Sequence, residues 1–508
     1  MKTPGELLRQ ILDENKNTEY GRLYNFSEIY NINEYKKRVP LTTYDDYEAY
    51  VDRMREGEKE VLTSYEVMTY CTTSGTSKNR VKYIPQTRKQ YEVYGEHLDA
   101  FPDRFMEEHG GKRLYQQTFR TEPGGADPEM LVSEQWYKYK AETGRMDFDS
   151  YVGGKALLFD REKCDPIFAR CYAALLERDL RIIEAVFLYD EYHFFTYLEH
   201  YYDRLLHAMK THVIPEKLVP SETMREAVLS LPIPEGRVDE IEKAAEGGFE
   251  GIAHRLWPGL SLLVGASNRS FFAESEGLDY YTKGIPRYYN MYTMSEMFVA
   301  NCIGEDDFRY RIFMDHGFFE FLPCEKEDGE DTLTAEECEI GGEYELIVTS
   351  YNGFYRYRTG DVLRVVSRQE GDPVVEFVRR RGMALNIAGE KVSMVQLEES
   401  IRRLSEDGIA IAQFCFAPSL DREAACYHVA LAVSEEPPFD DAGIADRLDT
   451  HLREINSGYA WIREMSYLDH PVVKTLAPER YFQFLSKNGM MDGNNKPKHT
   501  APTGFREW

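Results

Sequence analysis

Four short segments of this 508-residue chain gather the residue types that handle phosphate and sugar hydroxyls. The first is Thr72-Thr73-Ser74-Gly75-Thr76-Ser77-Lys78, followed by Val81-Lys82-Tyr83-Ile84-Pro85. Gly75 lets the backbone come close to a ligand, the flanking hydroxyls donate hydrogen bonds, and Lys78, Arg80 and Lys82 bring positive charge, a combination suited to phosphate. The spacing is not that of a P-loop, which needs G-x-x-x-x-G-K-[ST], and taken alone the segment equally fits a polar turn. The second is Tyr292-Thr293-Met294-Ser295-Glu296. A carboxylate at a strand end can ligate Mg²⁺, which takes a few carboxylate oxygens plus substrate phosphates; the bland alternative is a solvated glutamate, one of 88 acidic residues. The third, Tyr355-Arg356-Tyr357-Arg358-Thr359-Gly360-Asp361, puts an Asp directly after a Gly, where it can accept from vicinal ribose hydroxyls or simply make a turn. The fourth, Arg379 to Lys391, is a basic cluster loosened by Gly382 and Gly389; it fits a hinge that turns one arginine into a cleft, or a solvated linker.

The elements that must position these residues follow from hydrophobic pattern. The apolar run from Pro166 to Met209 has three- and four-residue spacing and predicts two long core helices. Leu260–Gly265 predicts a strand. Glu343–Val366 predicts a strand pair around a turn at Asn352-Gly353, and Pro373–Val378 adds a further strand. Beyond the arginine run, a helix near 395–404, an alternating strand at 428–433 and a helix near 444–455 predict a small α/β or α+β domain. The boundary falls near Arg380, giving domains 1–380 and 381–508.

Composition narrows the function classes. A chain this long exceeds one core, since cores stop growing near ~250–300 residues. The formal charge is 61 − 88 = −27, which argues against a nucleic-acid partner and against anionic membranes. An anionic substrate would need a locally basic site. Eight cysteines with no C-x-x-C read as reduced thiols, and the charged stretch Met1–Asn17 lacks the apolar core of a secretory signal. No window reaches the apolar length of a membrane span, so the expectation is a cytoplasmic protein.

In order along the chain, T-S-G-T-S, K-Y-I-P, Y-x-x-S-E, Y-R-x-G-D and an arginine hinge resemble the acyl-adenylate-forming, firefly luciferase-like superfamily. Within it the chain is similar to the auxin-responsive acyl acid amido synthetases, whose bacterial relatives are shorter than the plant members. The similarity extends over nearly the whole chain, including WPGLSLLVGAS and YFQFLSKNGMMDGNNKPKH. It implies an α/β protein: a large N-terminal adenylation domain of mixed sheets and β-barrel with packed helices, and a small mobile C-terminal α+β domain. It implies an ATP- and Mg²⁺-dependent ligase that converts a carboxylic acid to an acyl-AMP and then joins it to an amine, an amino acid in this family, and that acts as a monomer.

By the same resemblance, Thr73, Ser74, Gly75, Thr76 and Ser77 correspond to the phosphate loop, Thr76 being counted with the catalytic residues, and Lys82 to the basic residue before the Ile-Pro pair. Tyr292 corresponds to the aromatic that packs on adenine, Ser295 to its small polar neighbour, Glu296 to the Mg²⁺ ligand and Asp361 to the ribose acceptor. Arg380 corresponds to the hinge arginine. Lys496 corresponds to the C-terminal lysine that meets the α-phosphate, with Lys498 a rival, because Lys-Pro-Lys-His stands where the family usually has Lys-x-Pro-Arg. An acyl-CoA ligase would share the adenylation residues, and a non-catalytic nucleotide-binding scaffold would share the cleft. A sugar hydrolase would need a carboxylate pair that no spacing picks out. His200, Asp203 and His207, at i, i+3 and i+7 of a predicted helix, could be proposed as metal ligands but read better as helix-surface or core-edge residues.

Overall fold

The computed structural model describes residues 2–72, 82–95, 97, 100–119, 132–159, 167–267, 272–326, 329–381, 383–421 and 424–487. The chain divides into two compact units. Among the described residues, one holds the chain up to residue 72 with Lys82–Ser267 and Leu278–Arg379, and the other holds residues 272–277 and those from Arg380 onward.

The first unit is organised by two large sheets. A seven-stranded sheet runs in the order Gly317–Pro323, Glu343–Ser350, Tyr357–Gln369, Asp372–Arg380, Arg309–Ile312, Met297–Cys302, Met291–Met294. Tyr357–Gln369 and Asp372–Arg380 are joined through Glu370 and Gly371 at φ 54° and 95°, the left-handed pair that two-residue hairpins favour. A four-stranded parallel sheet orders Lys112–Tyr115, Leu180–Phe187, Leu262–Ala266 and Arg287–Tyr288.

The central strand of this parallel sheet corrects the sequence reading. Residues 167–209 are not two long helices. They form helix Ile167–Leu176, strand Leu180–Phe187, helix Leu188–His200 and helix Tyr202–Thr211. Leu180, Ile182, Ile183 and Ala185 are buried together with Glu184. A strand covered on both faces carries apolar residues on both, and this run, interrupted by Arg181 and Glu184, has no period of two that would separate strand from helix. The break at Tyr201 also divides the helix that would have aligned His200, Asp203 and His207, and all three are exposed.

Glu191, on the helix that follows, is fully buried beneath the parallel sheet. Its Oε1 accepts the Val264 amide at 3.1 Å, and burial pushes its carboxyl well above the ordinary range.

The amino-terminal segment is woven into the seven-stranded sheet. Thr42 pairs with Tyr357, accepting from the Arg358 amide at 2.8 Å and donating to the Arg356 carbonyl at 3.0 Å. The Tyr47 hydroxyl donates to the Tyr355 carbonyl at 2.7 Å and accepts the Tyr355 amide at 2.8 Å. Tyr20 stacks on Tyr355 with ring centroids 5.0 Å apart.

In the second unit, strand Ile411–Asp421 pairs antiparallel with Ala424–Val433, which pairs parallel with Val472–Leu476. Helices Met394–Glu406 and Asp441–Ile455 contribute Leu397, Leu404, Ile444, Leu448 and Leu452 to a core with Phe416, Val429 and Leu431. Ser393 caps the first of these helices in a reciprocal pair with Gln396. Among the described residues no cysteine is disulfide-bonded, and no helix is long and apolar enough to cross a membrane.

Candidate functional site

The second and third sequence segments meet on the seven-stranded sheet. Strands Met291–Met294 and Met297–Cys302 pair with Met294 opposite Met297, so Ser295 and Glu296 form the two-residue turn between them. Glu296 therefore stands at a hairpin tip, yet only 7% of it is exposed. The Tyr357 hydroxyl donates to its Oε1 at 2.6 Å.

Asp361 owes its placement to a bulge. Ile347 pairs with Arg358 but Glu345 pairs with Val362, so Thr359, Gly360 and Asp361 oppose the single residue Leu346. Gly360 adopts φ 77°, which a side chain would resist, and the Thr359 hydroxyl accepts the Asp361 amide at 3.0 Å. An excess of residues on one strand bends it and re-aims a side chain. Asp361 is buried, and the half-buried Tyr292 donates its hydroxyl to Oδ2 at 2.7 Å. Two residues 69 apart in sequence are thus in direct contact, and Glu296 is joined to the same motif through Tyr357.

The strand after the hydroxyl-rich segment is bolted to this hairpin. Strands Val67–Thr72 and Tyr83–Thr87 pair with Thr72 facing Tyr83, bracketing the segment between them. The Gln86 side chain donates to the Ser295 carbonyl at 3.0 Å. Asn352 donates to the Glu296 carbonyl at 3.0 Å and accepts the Thr87 amide at 2.9 Å. Gln86, Thr87 and Asn352 are all buried. Lys82 lies just before this strand with its Nζ 5.4 Å from the centre of the Tyr44 ring. Lys82 is four residues from Gln86, so it stands roughly 13 Å along the chain from the hairpin contact.

Arg380 ends strand Asp372–Arg380, where the first unit gives way to the second. Thr73, Ser74, Gly75, Thr76, Ser77, Lys496 and Lys498 lie outside the described residues. Of the rest, the structure brings together Tyr292, Ser295, Glu296 and Asp361. Glu390, in the fourth segment, is buried and structural: it accepts the amides of Ile387 and Ala388 at 2.6 and 2.7 Å and the Tyr427 hydroxyl.

Three residues here escape motif reading. Tyr357 was visible within Y-R-Y-R-T-G-D, but its role shows only through the contact with Glu296. Asn352 reads as a turn residue beside Gly353, and Gln86 carries no sequence signal. Arg356, from the same motif, points away from this chemistry. It is fully buried at φ 50°, and its guanidinium donates to Glu320 at 2.8–3.2 Å and to the carbonyls of Lys36 and Val39 at 2.8 Å.

The chain has relatives among known proteins. Residues 2–286 match the GH3 family N-terminal domain, 310–380 the GH3 family central domain and 395–503 the GH3 family C-terminal domain. Indole-3-acetic acid-amido synthetase GH3.8 of Oryza sativa subsp. indica is 25% identical over 420 residues, covering 78% of this chain and 69% of its own. Indole-3-acetic acid-amido synthetase GH3.4 of Arabidopsis thaliana is 26% identical over 436 residues, covering 80% and 72%. Among solved structures, the AtGH3.15 acyl acid amido synthetase in complex with 2,4-DB shares the fold with a TM-score of 0.66 at 22% identity, over 98% of this chain and 91% of that one. With domain matches spanning residues 2–503, this chain belongs to the GH3 family.

Proposed function

We propose that this protein is an acyl acid amido synthetase that activates a carboxylic acid with ATP and transfers the acyl group to an amine, an amino acid by analogy with its relatives. The observation that carries the reading is the meeting of Tyr292 with Asp361, and of Glu296 with Tyr357, on one sheet. Tyr292 offers an aromatic face for a base while its hydroxyl steadies Asp361. Asp361 offers carboxylate oxygens to a ribose. The same reading assigns phosphate binding to Thr73, Ser74, Gly75, Thr76, Ser77 and Lys82, and contact with the nucleotide to Ser295 and Arg380.

The donor set at the hairpin tip fits Mg²⁺, which binds through one or two carboxylates plus substrate phosphates. Glu296 would hold it, with one oxygen fixed by Tyr357. Such an ion, when bound, neutralises negative charge on the phosphates.

In the first half-reaction an oxygen of the acid bonds to the α-phosphorus of ATP as the bond to the pyrophosphate oxygen breaks. Negative charge meets negative charge, so the protein's task is positioning and electrostatic stabilisation. Hydroxyl and amide donors of residues 73–77 and the ammonium of Lys496 are assigned that role. In the second, the amine nitrogen bonds to the acyl carbon, the bond to the AMP oxygen breaks, and a proton leaves the amine. A C-terminal unit that moves between the two steps, hinged at Arg380, belongs to this reading.

The test is ATP–pyrophosphate exchange across a panel of carboxylic acids, with Lys496→Ala and Lys498→Ala alongside. Acid-dependent exchange that Lys496→Ala lowers roughly 10²–10³-fold is expected. Loss only in Lys498→Ala would transfer the role to that lysine, and no exchange with any acid would favour a nucleotide-binding scaffold. Mass spectrometry of products from an amino-acid panel then separates an amide from the thioester a CoA ligase would make.

A further inference from the structure

Three metal-binding side chains converge at a place the adenylation chemistry does not use. His97 follows helix Arg88–Tyr94, while Asp315 and His316 lie in the turn between strands Arg309–Ile312 and Gly317–Pro323. One ligand atom from each lies within 4.8 Å of the other two. His97 Nε2 and Asp315 Oδ2 are 3.8 Å apart, and both side chains are 47% exposed, open to an entering ion.

His316 differs from its two neighbours. It is fully buried, and its Nδ1 lies 3.1 Å from the Phe298 carbonyl oxygen. A carbonyl can only accept, so Nδ1 carries the proton and the lone pair resides on Nε2. Among the described residues that Nε2 has no hydrogen-bond partner, although buried ring nitrogens are normally satisfied. An imidazole whose one nitrogen is tied to a carbonyl and whose other is left bare is oriented and tautomerically fixed as metal-binding histidines are.

We propose that His97, Asp315 and His316 form a site for a divalent transition metal of the zinc class, with two imidazole nitrogens, one carboxylate oxygen and a remaining position for water. Tetrahedral coordination at ordinary Zn–N and Zn–O lengths places ligand atoms about 3.4 Å apart. The 3.8 Å separation of His97 and Asp315 needs only a small closure by two exposed side chains. Imidazole-rich sets favour Zn²⁺, Co²⁺ or Ni²⁺ over Mg²⁺, so this site and a nucleotide-linked Mg²⁺ would not compete. The metal would tie the end of helix Arg88–Tyr94 to the Asp315-His316 turn, two elements already linked by the Gln90 amide on the His316 carbonyl at 2.9 Å. The site stands independently of the adenylation reading.

The experiment is titration of the chelator-treated full-length protein with Co²⁺, followed by its visible absorption, with calorimetry for stoichiometry and Zn²⁺ as competitor. One equivalent is expected to bind, to be displaced by Zn²⁺ and to persist in millimolar Mg²⁺. The exposed ligands supply the variants, because replacing buried His316 could disturb folding. Losing an outer-shell partner costs roughly 10–100-fold in metal affinity, and His97→Ala and Asp315→Ala are expected to cost at least that, with metal-free melting temperatures unchanged. Absence of stoichiometric Co²⁺ binding by the parent protein would overturn the proposal. Wild-type affinity in a folded His97→Ala, Asp315→Ala double variant would do the same.

Discussion

Glu320 and Glu296 belong to the same sheet system, and both are nearly sealed from solvent, but they are held by opposite means. Glu320 receives the Arg356 guanidinium at both oxygens, at 2.8–3.2 Å, and the Thr332 hydroxyl at 2.6 Å. Its neighbour Glu345 is likewise gripped by Arg358, at 3.1 and 2.6 Å. Glu296 and Asp361 instead receive tyrosine hydroxyls, at 2.6 and 2.7 Å. A guanidinium neutralises a carboxylate as well as orienting it; a phenol orients an oxygen without cancelling its charge. The first arrangement builds a scaffold, and the second leaves a carboxylate able to meet a cation or a sugar hydroxyl.

The sharpest way to break this contrast is to remove the guanidinium. Arg356→Leu strands Glu320 as an uncompensated buried charge and is expected to cost about 3–5 kcal/mol in urea denaturation, with much of that recovered when Glu320→Leu is added. A loss below about 1 kcal/mol would mean the pair is no scaffold. Next in size, Glu296→Gln is expected to lower acid-dependent pyrophosphate exchange by roughly 10²–10³-fold while shifting stability by less than about 1 kcal/mol. Equal damage to folding and activity would erase the distinction. Tyr357→Phe removes one orienting bond. Roughly tenfold slower exchange is expected, with about 1 kcal/mol of stability lost; an unchanged rate would show that Glu296 needs no such guide.

The smallest effect concerns Glu191, whose hydrogen bond among the described residues comes from the Val264 amide and on which the Arg287 guanidinium acts only through space. Burial raises its pKa, so the folded protein keeps a proton that the unfolded chain sheds above about 4.5. Stability then falls as pH rises through that window, by at most about 1.4 kcal/mol per unit. Glu191→Gln lacks this slope, and its advantage over the parent is expected to grow between pH 5 and pH 7. Parallel pH–stability curves would contradict it.

Much of the site was legible because its residues crowd into short motifs next to recognisable strands. Tyr292, Glu296 and Asp361 could each be named, and the alternation through 343–366 located the strand pair that carries Asp361. What joins them was not legible. The bulge at Thr359-Gly360-Asp361 depends on the partner strand's register, and the Gln86 and Asn352 bonds depend on where distant backbone carbonyls fall. Arg356 shows the converse: a basic residue inside a nucleotide-type motif turned out to neutralise a core glutamate. Leu180–Phe187 was misassigned for a simpler reason, since a doubly covered strand offers no polar face to betray its period.

The pairing of Tyr47 with Tyr355 spans 308 residues, and it bears on how the chain is made. At synthesis rates of 5–20 residues per second, the amino-terminal segment waits roughly 15–60 s for its partner strand to be translated. During that interval Tyr20 and Tyr47, buried in the finished protein, lack the strand around Tyr355 that covers them. The seven-stranded sheet is therefore completed only after about 308 further residues have been made, and the segment that carries Tyr20 and Tyr47 is open to chaperones and to aggregation until then.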